Sequence, residues 1–364
     1  MGPRFLRPNS QGIIVETKPH MSCGSPLTRY VKPLDVLPRI NRLMGGEAPS
    51  ILVQRGAGGI GDVLMTLPTV RAIKEKYKGP VDYATDVKYL DGALVKVLKG
   101  NPYIDNILNW QEVKRENYDG VIDLHCPCVS HEQAQALPIN RIDLFARHAR
   151  IQLQNRKIDL VLTKEELDWA RDYIERLKVG RFKLMIVQPN VSTKRRSLPS
   201  GELQKAVASI IAKQKDVRAL IFTHKGDEVV LPWSFNGVLE VKNLDVRQIA
   251  SLIHYSSLVL CQDSAILHVA GALEKPTLSF FGPTDPRARV NYYKKSIALW
   301  PGGQLRCSPS WYSPCKCGEV CWKMIKQEMI VDTALDLLNN RPIKESPDIV
   351  NFNYREGPQF FRSI

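Results

Sequence analysis

Nowhere in its 364 residues does the chain hold an uncharged apolar run of about 18 residues, the least a helix needs to cross a bilayer. The opening stretch, MGPRFLRPNSQGIIVETKPH, also lacks an apolar segment of signal-peptide length. A membrane-spanning or exported protein is therefore not expected; the cytoplasm is, with contact to the inner membrane at its periphery at most. Acidic residues are in short supply, 37 Asp and Glu against 51 Lys and Arg, which leaves a net charge of +14. An anionic partner follows from that balance, whether nucleic acid, an acidic glycolipid surface or a phosphorylated substrate, and charge does not choose among them. In a reducing compartment the eight cysteines read as thiols or metal ligands, not as a disulfide framework. No internal repeat appears beyond a weak similarity between two halves, and the length suits two domains, each with its own core.

What is present centres on residues 51–72, ILVQRGAGGIGDVLMTLPTVRA. A short apolar strand (Ile51–Val53) runs through a glycine turn (Gly56, Gly58, Gly59, Gly61) into a helix opening at Asp62. Such a turn is an anion site, because unpaired N–H groups and the helix dipole point out of it. Gly56 to Gly61 satisfies G-x-G-x-x-G, so a dinucleotide-binding turn is the first reading. Two residues oppose it. A carboxylate at Asp62 would repel a pyrophosphate, and Pro68 removes an N–H two turns in, which predicts a short or kinked helix. Asp62 is better suited to work as a base, its ionised form favoured by the helix N-terminus; the rival reading is a plain helix cap.

A second stretch, residues 260–287, reads LCQDSAILHVAGALEKPTLSFFGPTDPR. Together, GGIGDVLMTLPTVRAIK and DSAILHVAGALEKPTLSFFGPTDP resemble the heptosyltransferase-like glycosyltransferases of family 9, over roughly residues 51–338. The resemblance implies an α/β fold of two facing Rossmann-like domains with parallel sheets, called GT-B. It also implies a donor site on the second domain. In the family a lysine three residues before a proline contacts the donor phosphates; here Pro199 puts Arg196 there, with Lys194 and Arg195 beside it. A family glutamate that meets the donor's ribose or base is best matched by Glu228. The family's Asp-Ser/Thr-Gly-x-x-His stretch, which binds the donor diphosphate, corresponds to Asp263, Ser264, Ala265 and His268, with alanine replacing the glycine. The GPTDP turn lies beside the donor sugar in the family, so Thr284 and Asp285 become expected sugar contacts.

Strands alternating with helical runs along the chain independently argue for a parallel sheet wound on both faces. Strands are expected at 80–84, 104–108, 118–124, 183–188, 219–223, 257–260 and 277–281, and helices at 90–98, 165–177, 202–213 and 246–255. The helix at 165–177 is the expected bridge between the domains. Boundaries are set at 1–48 for a proline-containing basic extension, 49–178 for the acceptor domain, 179–340 for the donor domain and 341–364 for a polar tail. The extension carries seven basic and three acidic residues, a net +4, and reads as a solvated arm; acceptor binding is the sharper alternative.

Two cysteine groups tempt a metal reading. His125, Cys126, Cys128 and His131 crowd the end of a strand around Pro127, with no matching pair nearby. Structural zinc usually wants pairs separated by a longer loop. His125, with Gly58, Gly59 and Gly61, is instead placed on the acceptor side. Cys307, Cys315, Cys317 and Cys321 bring four thiols within fifteen residues. C-x-C strains tetrahedral geometry, so a structural zinc is the weaker reading here.

The leading functional expectation is an inverting, metal-independent glycosyltransferase. Asp62 deprotonates an acceptor hydroxyl, while Arg196 or Lys194, the helix start at Ser264 and His268 stabilise a departing nucleotide diphosphate. By resemblance the donor is ADP-heptose and the acceptor the core of lipopolysaccharide, with no cofactor required. A second acceptor reading is hydroxylated bases of DNA, as in phage DNA modification, which the basic charge would suit. A different class is a non-catalytic nucleotide- or nucleic-acid-binding protein, against which the joint retention of Asp62, His268 and GPTDP argues. A nicotinamide-dependent dehydrogenase comes last, disfavoured by Asp62 and Pro68.

Overall fold

The computed structural model describes residues 14–16, 28–30, 48–56, 58–125, 127–133, 138–191, 193–223, 235–311, 313, 315, 318, 320–344 and 346–351. Most of the N-terminal extension, Glu228 and Cys317 lie outside these residues. Within the extension, β1 (Ile14–Glu16) and β2 (Thr28–Tyr30) pair antiparallel. The chain divides into two units, Met1–Ala134 with Arg141–Val161, and Gln135–Asn140 with Leu162–Ile364.

The first unit is built on β3 (Ile51–Arg55), β4 (Val81–Thr85), β5 (Asn106–Asn109) and β6 (Gly120–Asp123), parallel throughout in the order β5-β4-β3-β6. Its helices are α1 (Ile60–Tyr77), α2 (Ala93–Leu98), α3 (Pro127–Gln133) and α4 (Arg141–His148). The central strand β3 is buried along its whole length, as a strand covered on both faces must be. Of the short or kinked helix expected, the short form fails: α1 runs 18 residues and continues past Pro68. A proline inside a helix costs roughly 3 kcal/mol. Eleven buried residues of α1, among them Val63, Leu64, Leu67, Val70 and Ile73, outweigh it, since each large apolar side chain contributes about 1.5–3 kcal/mol. The helix also starts earlier than the sequence signalled, at Ile60 behind Gly59, so Asp62 lies inside its first turn.

The second unit carries a seven-stranded sheet in the order β13-β12-β11-β10-β7-β8-β9. Its strands are β7 (Lys183–Val187), β8 (Val217–Thr223), β9 (Val238–Lys242), β10 (Leu258–Gln262), β11 (Thr277–Phe280), β12 (Ser296–Leu299) and β13 (Ile349–Asn351). All run parallel except β13, which pairs antiparallel with β12. Residues 349–351 are thus an edge strand, although the segment from 341 onward reads as a polar tail. Helices α5 (Lys164–Arg176), α6 (Ser200–Lys213), α7 (Val246–His254), α8 (Ala265–Ala272), α9 (Arg287–Val290), α10 (Val320–Met324) and α11 (Gln327–Leu338) complete it. One face of the sheet packs Met185, Val187, Ile221, Leu260, Phe280 and Leu299 against Leu203, Val207 and Ile210 of α6 and Ile330, Val331 and Ala334 of α11. Helix α5 opens with a capping box between Thr163 and Glu166 and packs on α7, where Arg247 donates to Glu166 at 2.7 Å.

In each unit the strand order reverses once. The reversal falls between β3 and β6 in the first sheet and between β7 and β10 in the second. Open α/β sheets bind ligands at such switch points, outside the carboxyl ends of the strands. Asp62 and its neighbours follow β3 and β6; Gln188, Asp263 and Ser264 follow β7 and β10.

Candidate active site

The first-unit centre is a chain of charges. Arg55 ends β3 and lies buried, its Nη1 donating to the carbonyls of Leu124 at 2.5 Å and His125 at 2.6 Å beyond β6. Its Nη2 lies 3.3 Å from Oδ2 of Asp62, and the guanidinium covers the Phe145 ring, 5.1 Å from its centroid. Arg141, the first residue of α4, donates from Nη1 to Oδ1 of Asp62 and from Nε and Nη2 to Glu132, at 2.9 and 2.7 Å. Glu132 is 1 % exposed, while the Asp62 side chain, at 18 %, is the quartet's most open member. Cys128 sits in the field of all four groups, and burial pushes its thiol up to about 12, so it stays protonated. Burial likewise lifts the phenol of Tyr83 to about 12, which leaves it a neutral partner for Thr66 at 2.9 Å.

The glycines make this centre sterically possible. Gly58 has φ +121°, and a Cβ there would lie 2.5 Å from Nη2 of Arg55; a Cβ on Gly56 would strike the Trp110 ring at 2.2 Å. Gly59 faces open space and Gly61 is buried in α1. His125 is buried as well, its ring tilted against Trp110 at 6.1 Å.

The second-unit centre is built around the start of α8. Ser264 is the N-cap residue, yet its hydroxyl turns to Oε1 of Gln188 at 2.5 Å and no side chain caps the helix. Its first-turn N–H groups, including that of Ala265, are of the kind that holds anions. Behind them Asp263 is buried and fully engaged. Thr284 donates to it at 3.0 Å, Arg289 lies 3.5 Å away, and Arg196 reaches its backbone carbonyl at 3.1 Å and its carboxylate at 3.5 Å. The Arg196 side chain keeps 30 % of its surface open. Gln262 orders the loop before α6, accepting from Leu198 N at 2.7 Å and donating to Pro189 O at 2.5 Å. His268 is buried with Nδ1 2.6 Å from the Tyr293 hydroxyl. Burial raises the Tyr293 phenol well above its ordinary value, so it stays protonated, and the imidazole tautomer decides which of the two groups donates. Gly271 makes room for the ring, since a Cβ there would meet it at 2.4 Å.

The three neighbouring cations of the loop part ways. Arg195 turns to the loop before α10, donating to Ser310 Oγ at 3.0 Å and Trp311 O at 2.9 Å. Arg196 faces Asp263, and Lys194 contributes its backbone to the short 3-10 turn Lys194–Arg196. In the GPTDP turn the side chains do structural work. Asp285 is fully buried against Arg287, at 2.6 to 3.1 Å, and the Thr284 hydroxyl is given to Asp263.

Cys307, Cys315 and Cys321 form no disulfide. Burial first, then the nearby thiols of Cys315 and Cys307, raises the Cys321 thiol. Among the described residues no three His, Cys, Asp or Glu side chains gather as a ligand set, and the four-thiol reading would need Cys317. Sequence reasoning missed Arg55, Glu132, Arg141, Gln188, Arg289 and Tyr293.

Residues 223–320 match the model of glycosyltransferase family 9 (heptosyltransferase). A search of curated protein sequences found no match. Among solved structures, a glycosyl transferase family 9 protein from Veillonella parvula matches with TM-score 0.64 and 16 % identity, covering 81 % of this chain and 98 % of its own. The ADP-heptose lipopolysaccharide heptosyltransferase II of E. coli matches with TM-score 0.58 and 14 % identity, covering 80 % and 99 %. The iron-containing dodecameric glycosyltransferase TibC of enterotoxigenic E. coli matches with TM-score 0.59 and 12 % identity, covering 81 % and 77 %. At these identities the likeness speaks for the fold: GT-B, with two Rossmann-like units. The matched segment makes residues 223–320 similar to glycosyltransferase family 9 (heptosyltransferase), and the solved structures share the fold of the whole.

Proposed function

We propose that the chain is an inverting glycosyltransferase that takes a sugar from a nucleotide-diphospho donor, ADP-heptose by preference, and passes it to a hydroxyl of the lipopolysaccharide core. One observation carries this reading: a part-open carboxylate, Asp62, is fixed by two arginines at the switch point of the first sheet. There it removes the proton from the acceptor hydroxyl as its oxygen attacks the anomeric carbon. The bond from that carbon to the diphosphate oxygen breaks, and the charge that develops on the leaving group falls to Arg196 and the uncapped start of α8. Such prearranged donors cost no reorganisation when the charge appears. The E. coli protein of like fold named for ADP-heptose and lipopolysaccharide supports the choice of donor and acceptor. The absence of a helix apolar enough to span a membrane among the described residues fits a peripheral approach to such an acceptor.

The test is to incubate the protein with a panel of nucleotide sugars and truncated lipopolysaccharide and to identify the nucleotide released. ADP from ADP-heptose alone, with heptose on the acceptor in inverted configuration, is the expected result. Release from another nucleotide sugar would replace the donor, and transfer to hydroxymethylated DNA instead of lipopolysaccharide would replace the acceptor.

A further inference from the structure

The charge quartet of the first unit has an asymmetry that the base reading does not use. A carboxylate flanked by two guanidinium groups is a poor proton acceptor, because both cations favour the form that has already lost its proton. Arg55 cannot turn away, since two backbone carbonyls hold it. Arg141 is different: two of its nitrogens form a fork on Glu132, at 2.9 and 2.7 Å, and a third nitrogen faces Asp62. Glu132 is the most deeply buried of the four, where a neighbouring charge is least screened by water.

We propose that Glu132 is a positioning residue that sets the basicity of Asp62 through Arg141. Its carboxylate offsets the Arg141 charge and locks the guanidinium plane, so that Asp62 meets one oriented N–H instead of a full cation. Two acids and two bases then make a neutral set, and Asp62, its most open member, is left able to take a proton from an acceptor hydroxyl. Charge-assisted forks of this kind fix direction as well as energy. The inference rests on Asp62 being the base, and it adds a residue on α3 that never needs to touch substrate.

The test uses the full-length protein and reads the carboxyl carbon resonance of Asp62, assigned through Asp62→Asn, across pH. In Glu132→Gln the Asp62 titration should move to lower pH, and the acidic limb of kcat should move with it, with plateau turnover reduced about tenfold and nucleoside-diphosphate affinity unchanged. In Glu132→Gln/Arg141→Gln both should return toward wild type, whereas a merely structural role would make the losses add. The double variant also buries no uncompensated charge, so it keeps the test open if the single variant folds poorly. An Asp62 titration unmoved by Glu132→Gln, or not restored in the double variant, overturns the proposal. A titration that moves while the rate limb stays put upholds the effect of Glu132 and overturns Asp62 as the base.

Discussion

Arg141 joins two carboxylates that the chain keeps apart, donating to Asp62 79 positions away and to Glu132 nine positions away. The link makes the first helix start, the helix after β6 and the first residue of α4 into one electrostatic object. The aspartate that follows a glycine turn of nucleotide-binding appearance is thus held by the chain's own arginines.

Gly58→Ala tests how tightly that object is packed. A Cβ at φ +121° is strained, at a cost of about 1–3 kcal/mol, and it would press on Nη2 of Arg55 at 2.5 Å. Urea unfolding should register a loss of this order, and turnover should fall further than stability accounts for. Gly59→Ala, where the added atom meets open space, is the control, and equal effects in the two variants would remove the steric argument.

Adjacent arginines should behave differently. Arg196→Ala should weaken nucleoside-diphosphate binding roughly tenfold in calorimetry, the worth of one charge-assisted bond of about 1.5 kcal/mol. Arg195→Ala removes the bonds to Ser310 and Trp311 and should lower thermal stability with a smaller change in affinity. The reverse pattern would put the phosphates on Arg195.

Alkaline pH should destabilise the fold. The Cys128 thiol and the Tyr83 phenol titrate near 12 in the folded chain, against 9.0 and 10.0 for their ordinary values. Between those limits the unfolded chain has lost protons that the folded chain still binds, so unfolding is favoured as pH rises. Their stabilising contribution is whole below about pH 9 and declines by up to about 1.4 kcal/mol per pH unit for each group as it titrates. Chemical denaturation at pH 7, 9 and 10.5 should follow this course. Cys128→Ala should flatten the first part of the decline, and an unchanged slope in that variant would exclude the thiol as its source.

The doubly wound sheets were legible because strand and helix periodicities alternate along most of the chain, and the two glycine- and aspartate-bearing stretches fell at the strand ends where ligands bind. Local pattern failed where distant packing decides. Pro68 predicted a short or kinked α1, yet the helix runs on to Tyr77, and the strand at 349–351 exists by virtue of its pairing with β12. Arg55, Glu132, Arg141 and Tyr293 carry no motif; nothing in spacing links Arg141 to Asp62 or Tyr293 to His268 before the chain folds. The bonds of Asp285 to Arg287 and of Thr284 to Asp263 were not legible, because a carboxylate in a turn looks the same in sequence whether it faces a ligand or Arg287.

The most direct measurement of the central claim compares wild type with Asp62→Asn on ADP-heptose and lipopolysaccharide core, recording turnover and ADP affinity together. The amide keeps the shape and one acceptor while losing the base. Turnover should fall at least about a hundredfold, the usual worth of a positioned base, with ADP affinity unchanged within a factor of two or so. Turnover within a few fold of wild type would contradict the account and reduce Asp62 to a helix-start acid that anchors Arg55 and Arg141.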